Sequence, residues 1–241
     1  MLTPNRTARL VLWIAVACTS QGGWLTASTW AQGEPCTGPP PSTVRVDALS
    51  KPPEFDLEKT ISDLTQLSHA AAQGGGDRKG PALGFYQAKI GVKSSIKAVG
   101  HDISTGGVCL VLRTITINFG LQERKILLAQ ETQGNRCVRD FVTAHEQRHV
   151  AVDDAVLRLY LVQLQAALSL ELSGGLAVQA KTPSDARQLL MKTLDARLQQ
   201  AMEEFSARRD NAQQAAHAEE EADALEKACG PDVTNQIIKA K

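Results

Sequence analysis

Two histidines four residues apart, with a glutamate directly after the first, occur in the segment VTAHEQRHV, residues 142–150. In an α-helix, His145 and His149 lie one turn apart on one face, about 6 Å along the axis. Two imidazoles in this arrangement can bind one zinc ion. Glu146 can then take a proton from a zinc-bound water and return it to a leaving amine. The pattern predicts His145 and His149 as metal ligands and Glu146 as the general base and acid.

Both histidines continue an apolar stripe of helical period, which predicts a helix from Asn135 to about residue 172. Their imidazoles are therefore expected to face the protein interior, where their ring nitrogens need partners. The alternative is two core histidines that are hydrogen-bonded to backbone carbonyls or carboxylates. Arg148 occupies a position that is usually uncharged in zinc peptidases, and the period places it at the edge of the stripe, turned outward.

A catalytic zinc ion usually has three protein ligands and one water. Asp153 lies four residues beyond His149, but ligands at i, i+4 and i+8 of one helix span about 12 Å. We therefore predict Asp153 as a partner of a ligating histidine, with a surface aspartate as the alternative. Glu171 is expected far along the same helix. Residues of the last helical region are the other candidates for the third ligand: His217, Glu219, Glu220 and Glu221.

The N-terminus has the pattern of a secretory signal peptide. Residues 1–9 contain two arginines and no acid, and residues 10–18 form an apolar run too short to span a bilayer. Cleavage is predicted after Ala31, which gives an exported protein, periplasmic or secreted, without a transmembrane segment after processing. The alternative is a lipoprotein anchored through Cys18, which follows the sequence AVA.

Charge and cysteine content narrow the class of protein. The chain has 241 residues with 26 basic and 26 acidic side chains. Arg6 and Arg9 are the only charged side chains among residues 1–31. No clustered basic surface is predicted, so a nucleic-acid partner is not expected. Four cysteines remain after export and predict two disulfide bonds in an oxidising compartment. Three pairings are open among Cys36, Cys109, Cys137 and Cys229.

Changes of hydrophobic period divide the rest of the chain. Residues 32–53 are rich in proline and are predicted to be an extended segment, and a helix is predicted over 56–72. Strands are predicted at 85–99 and 108–119, with a third at 124–129, in a small antiparallel or mixed sheet. A long helical region follows from 183 to about 227, and its polar second half is interpreted as a solvated face. One α+β domain is expected over 54–229, with a tail at 230–241.

The order of these features resembles a bacterial family of predicted secreted zinc-dependent proteases, catalogued as a domain of unknown function. The similar features are GGVCLVLRTITINF, Cys137 eight residues before His145, the HExxH motif in NRCVRDFVTAHEQRHVAV, and Cys229 near the end. The match spans roughly residues 55–229. The resemblance implies a zincin-like fold in which His145 and His149 bind zinc and Glu146 is the catalyst.

We therefore expect an α+β protein whose sheet packs on the long HExxH helix and whose chain ends in a long helical region. The predicted activity is metal-dependent hydrolysis of peptide bonds in a peptide or protein substrate, outside the cytoplasm. A substrate peptide could add as a strand if a sheet edge borders the zinc. The alternative is a non-catalytic envelope protein, a helical interaction module with a structural or vestigial metal site. The long polar helix at 183–228 favours that alternative, and the oligomeric state is not predicted.

Overall fold

The computed structural model describes residues 36, 41–72, 80–104, 106–218, 224–233, 235 and 237. The predicted signal peptide at 1–31, including Cys18, lies outside the described residues. The described chain forms five strands: β1 (Thr43–Ser50), β2 (Glu54–Asp56), β3 (Gly84–Asp102), β4 (Val108–Leu128) and β5 (Ala177–Ala180). It also forms four α-helices: α1 (Ile61–Ala72), α2 (Arg136–Glu171), α3 (Pro183–Ala218) and α4 (Ala224–Cys229).

The long strand β4 is the centre of the sheet, and every other described strand pairs with it. β3 runs antiparallel along one edge of β4 for almost its whole length. The other edge pairs in turn with β5, β1 and β2, of which β1 and β2 are parallel to β4. The protein is therefore α+β with a mixed sheet, as the sequence predicts.

A β-bulge near the end of β4 changes which side chains face the helices. Two residues of β4, Glu123 and Arg124, lie opposite the single residue Ala88 of β3, and Glu123 has a φ of 47°. An extra residue shifts the alternation of side chains by one position. Arg124 is consequently buried together with Ile126 and the residues that follow. The stretch 124–129, predicted as a separate third strand, is the continuation of β4 beyond this bulge.

Helices α2 and α3 lie antiparallel to each other and pack on one face of the sheet. Three aromatic rings hold this layer together, since Phe119, Tyr160 and Phe205 have ring centroids 5.3–5.5 Å apart. The Tyr160 hydroxyl also donates to the Ala201 carbonyl at 2.7 Å. Leucines and isoleucines of all three elements complete this core: Ile115, Ile117, Leu121, Leu157, Leu164, Leu168, Leu190, Leu194 and Leu198.

Both long helices begin with a side-chain cap. The Asn135 side chain accepts from the Val138 amide at 3.3 Å, which satisfies one of the unpaired donors at the start of α2. The Thr182 hydroxyl accepts from the Asp185 amide at 3.2 Å, directly before α3. The region predicted as helical from 183 to about 227 therefore starts where expected, and the described part of it consists of α3 and α4.

Residues outside the predicted domain of 54–229 also pack against its sheet and helices. β1, from the proline-rich segment, pairs with β4, and Val233 and Ile237 near the C-terminus pack against Val138 and Val142 of α2. These contacts place both ends of the described chain against the sheet and helix layer.

The cysteines form two pairs, Cys36–Cys109 and Cys137–Cys229, with Cα atoms 5.6 and 5.7 Å apart. The structure thus selects one of the three possible pairings. Two disulfide bonds are typical of proteins in an oxidising, extracellular compartment. The Cys137–Cys229 bond ties the end of α4 to the first turn of α2.

Helix α2 is long and apolar enough to cross a membrane by length and composition alone. Core helices pass the same test, and α2 packs against both the sheet and α3. One face of α2 is buried and carries the polar side chains of Glu146, His149 and Asp153.

Replacing both Cys137 and Cys229 with serine is expected to lower the free energy of unfolding by about 2–5 kcal/mol, because the bond closes a long loop in the unfolded chain. Urea unfolding of the metal-free protein, beside the unmodified chain, measures this change. An unchanged unfolding midpoint, or a non-reduced digest in which Cys137 is joined to Cys36 or Cys109, would contradict the pairing.

Candidate metal centre

The HEQRH segment lies in the first half of α2, and its Glu146 and His149 are on the face that packs against the rest of the protein. Glu146 and His149 are 4 and 5 % exposed, while the side chain of His145 is 24 % exposed. His149 therefore points into the interior as predicted, and His145 lies at the rim of the site. The buried residues of the helix follow one stripe: Val138, Val142, Glu146, His149, Asp153, Leu157, Tyr160, Leu164 and Leu168.

The geometry of the three side chains fits a single metal ion. The two Nε2 atoms of His145 and His149 are 3.1 Å apart. Two ligand atoms on one tetrahedral zinc ion, each bonded at its usual distance, lie about 3.3 Å apart. One ligand atom from each of His145, Glu146 and His149 lies within 4.8 Å of the others. The Glu146 carboxylate is 4.0 Å from Nε2 of His145, a longer distance that leaves room for a water molecule beside a metal ion.

His149 is oriented by Gln213 of α3. The Oε1 atom of Gln213 lies 2.6 Å from Nδ1 of His149, and its Nε2 atom donates to the His149 carbonyl at 2.9 Å. Because Oε1 can only accept, Nδ1 of His149 carries the proton and Nε2 keeps its lone pair. This is the tautomer that a histidine ligand needs when it coordinates through Nε2, and an outer hydrogen bond of this kind fixes the ring.

His145 has a different environment. The exposed guanidinium of Arg148 lies 3.4 Å from its Nδ1 atom and can only donate. The proton of His145 is then on Nε2, which donates to Nε2 of His149. A metal ion bound between the two rings would displace the proton on Nε2 of His145, and the hydrogen bond from Arg148 to Nδ1 would be lost. The side chain of Arg148 already faces outward, as the sequence predicts.

Asp153 lies one turn beyond His149 and has no exposed surface. Its carboxylate accepts from Nε of Arg209 at 2.8 and 3.0 Å and from Nε2 of Gln213 at 2.6 Å. Asp153 therefore contacts His149 through Gln213, and its oxygens are engaged by donors of α3. The alternative of a surface aspartate is therefore wrong, whereas the role of Asp153 as a partner of a ligating histidine stays a prediction, because Asp153 reaches His149 only through Gln213.

Arg124 of β4 is a buried cation on the side of α2 that faces the sheet. The Tyr86 hydroxyl accepts from Nε of Arg124 at 3.0 Å, and Asp153 lies beside it. Burial, reinforced by the negative charge of Asp153, raises the pKa of Tyr86. The phenol therefore stays protonated. Arg124 also donates to the Val150 carbonyl at 3.4 Å, so the sheet is joined to α2 next to the histidines.

Gly84, the first residue of β3, sets the space available to Glu146. A Cβ atom at this position would lie 2.6 Å from Oε1 of Glu146 and 2.5 Å from a methyl group of Val142. Real Cβ atoms do not approach other atoms so closely, so any larger residue would displace the carboxylate. The absence of a side chain at position 84 allows the start of β3 to lie directly against Glu146.

The candidates for a third ligand are placed as follows. Asp153 is engaged by Arg209 and lies outside the metal-binding group. Glu171 lies at the far end of α2, where it pairs with Arg197. His217 is in α3, one turn beyond Gln213. The other candidates lie outside the described residues: Glu219, Glu220 and Glu221.

Several residues of the site were not identified from the sequence. Arg209 and Gln213 belong to the polar half of the last helical region, which was interpreted as a solvated face, and for these two residues that interpretation is wrong. A signal was present, since both follow the buried Phe205 at intervals of four residues and so continue its stripe. Tyr86 and Gly84 gave no such signal, because only the packing of β3 against α2 brings them to the site.

Comparisons of this chain with protein-family models, with curated proteins and with solved structures found no match. Its function has to be inferred from the chemistry and geometry of the site.

Replacing Asp153 with alanine is expected to destabilise the protein by about 3 kcal/mol, because Arg209 and Gln213 would lose a buried acceptor. Asp140 provides the matched control on the same helix, since its carboxylate is 57 % exposed and pairs with Arg136. Its replacement with alanine should cost no more than about 0.5 kcal/mol. Urea unfolding of the metal-free variants measures both changes, and equal losses would argue against a buried ion pair at Asp153.

Proposed function

We propose that this chain is an exported zinc-dependent peptidase in which His145 and His149 bind the metal ion and Glu146 is the general base and acid. The observation that carries the proposal is the cluster itself. Three ligand atoms from adjacent turns of α2 lie within 4.8 Å, and the ring of His149 is held in the tautomer required for coordination. A buried pair of histidines with only structural hydrogen bonds would not need a carboxylate beside it.

The chemistry follows from where each group lies. A bound zinc ion would supply Lewis acidity and lower the pKa of a water molecule in its open position. Glu146 is almost fully buried directly beside the two histidines, so its carboxylate is positioned to act on a water molecule at the metal ion. It accepts the proton of the attacking water and later delivers it to the leaving amine. His145, at the rim, leaves the site open to substrate from one side.

The sheet supports a peptide as the substrate. Among the described strands, only β4 pairs with β3, and β3 begins at Gly84 directly against Glu146. An extended peptide that added to the outer edge of β3 would place its backbone next to the metal ligands. Main-chain hydrogen bonds would bind the peptide with little dependence on its sequence. This arrangement of a sheet edge above an HExxH helix is the reason to propose a zincin-like fold for this protein and membership of the secreted protease family that its sequence resembles.

The two disulfide bonds support function outside the cytoplasm. We propose that the N-terminal segment directs export and that the processed protein acts in the periplasm or is secreted, with a lipid anchor at Cys18 as the alternative.

Metal analysis tests the proposal most directly. The purified full chain, loaded with zinc and freed of excess metal, is expected to retain one zinc ion per molecule, whereas His149→Ala should retain none. His101→Ala is the matched control, since His101 is exposed at the end of β3 opposite to Gly84, and it should bind zinc as the unmodified chain does. A chain without stoichiometric zinc would remove the metallopeptidase proposal.

Glu146→Gln separates binding from catalysis. This variant is expected to retain zinc but to cleave a mixture of unstructured peptides at least about 100-fold more slowly, because an amide cannot accept the proton of the water. Mass spectrometry of the peptide mixture measures the rate. Cleavage at the unmodified rate, or no cleavage by either protein, would favour the alternative of a non-catalytic envelope protein with a metal site.

Gly84→Ala tests the position of the Glu146 carboxylate. The added methyl group should displace the carboxylate and lower kcat by about 10- to 100-fold, since small misplacements of a catalytic group are costly. Zinc content should not change. Gly100→Ala in the same strand is the control, because a Cβ atom there would have no neighbour closer than 3.6 Å. Equal activity of the two variants would show that the approach of β3 does not position Glu146.

A further inference from the structure

A cavity lies between the sheet, the C-terminal end of α2 and the first half of α3. Its floor is formed by Ile115 and Ile117 of β4, and its walls include Leu168 of α2 and Leu194 and Leu198 of α3. The volume of the cavity is about 190 Å³. Protein interiors are normally packed with few voids larger than a water molecule, so a space of this size can hold a ligand.

The lining of the cavity defines what could enter it. An apolar cavity of about 150 Å³ is large enough to bind benzene. Ile115 and Ile117 at the floor are almost fully buried and have no polar side-chain atoms. A polar group that reached them would lose its hydrogen bonds to water without replacement. The cavity therefore fits an apolar group of the size of a benzyl or isobutyl side chain.

The mouth of the cavity carries one negative and one positive side chain. The lining residues that reach the surface include Glu171 and Gly175 on one side and Thr193 and Arg197 of α3 on the other. Nε of Arg197 donates to Oε2 of Glu171 at 3.0 Å, and both side chains are 41 % exposed. An ion pair this exposed contributes little to stability, so the two groups can separate to bind a ligand at low cost.

Two opposite charges beside an apolar cavity are complementary to a zwitterion that has an apolar side chain. A guanidinium group binds a carboxylate through two parallel hydrogen bonds, and a carboxylate binds an ammonium group. A free α-amino acid carries both charged groups and its side chain on one carbon atom. Its carboxylate would replace Glu171 at Arg197, its ammonium group would bind Glu171, and its side chain would enter the cavity.

We propose that this cavity binds a free amino acid with an apolar side chain of the size of phenylalanine or leucine. Glu171 follows His149 by 22 residues on the same helix, which is about 33 Å along its axis. The cavity is therefore a separate site from the metal centre, and the proposal does not depend on the proposed peptidase activity.

Titration of the full chain with L-phenylalanine, with and without zinc, tests the proposal. Amide NMR spectra of the isotope-labelled protein should show shifts at Gly175, Leu176 and Thr193, with a Kd on the order of 1 mM for a ligand of this size. L-Serine, which has both charges but no apolar group to bury, should bind at least about 30-fold more weakly.

Two derivatives of phenylalanine test the two charges separately. N-acetyl-L-phenylalanine lacks the ammonium group, and L-phenylalanine amide lacks the carboxylate. Each should bind about 10-fold more weakly than L-phenylalanine, because one charge-assisted hydrogen-bonding group is lost. The derivatives also represent the two ends of a peptide chain. Equal or tighter binding of either one would show that the cavity takes a peptide terminus, and would overturn the proposal of a free amino acid.

Variants of the ion pair assign each charge to its partner. Arg197→Gln should weaken the binding of L-phenylalanine about 10-fold without affecting that of L-phenylalanine amide. Glu171→Gln should weaken the binding of L-phenylalanine without affecting that of N-acetyl-L-phenylalanine. Arg208→Gln is the matched control, because Arg208 also joins α3 to α2, through Gln163, but does not line the cavity.

Three results would overturn the proposal: no binding of L-phenylalanine, shifts confined to other parts of the protein, or an equal loss of affinity in Arg208→Gln. Each would leave the proposed metal site in place, because zinc content is measured independently of this cavity. Conversely, L-phenylalanine should bind equally well to a chain that takes up no zinc.

Discussion

The carboxylate of Asp153 has no exposed surface, and side chains of α3 satisfy this buried charge. Arg209 and Gln213 donate to it from α3, and Tyr86 of β3, which accepts from Arg124, lies beside it. A buried carboxylate without donors would cost several kcal/mol, so α2 and α3 have to meet at this residue. This contact fixes how α2 and α3 lie relative to each other, next to the start of β3.

The orientation of the candidate ligands depends on the same interaction. Gln213 contacts Asp153 with the amide group that also holds the ring of His149, so the carboxylate positions the histidine through one intermediate side chain. The bulge at Glu123 contributes from the other side, because it turns Arg124 towards α2. The contacts of Gln213 and Arg124 therefore serve both the packing of the domain and the geometry of the candidate metal centre. Replacement of a residue in this network would alter stability and metal affinity together.

Much of the fold could be predicted from local patterns. The helix predicted from Asn135 to about residue 172 is α2 (Arg136–Glu171), and the alternation in 85–99 and 108–119 corresponds to parts of β3 and β4. Each of these elements has a clear hydrophobic period, and a capping residue or a glycine marks where it begins or ends. The bulge was not predictable, because it depends on the pairing of two strands and not on the sequence of either. The role of β1 in the sheet was missed for the same reason, since its partner is 71 residues away in the chain, at Thr114 opposite Thr43.

The sequence by itself determined the chemistry of the candidate site. The spacing of His145 and His149 puts both rings on one helical face wherever the helix lies, and Glu146, directly after His145, lies at the edge of that face. The tertiary structure decided what surrounds these residues. It brought Gln213 to His149 and Gly84 to Glu146, and it selected one of the three possible cysteine pairings. Each of these contacts joins parts of the chain that are far apart in sequence. Such contacts depend on the packing of whole elements and leave no local pattern.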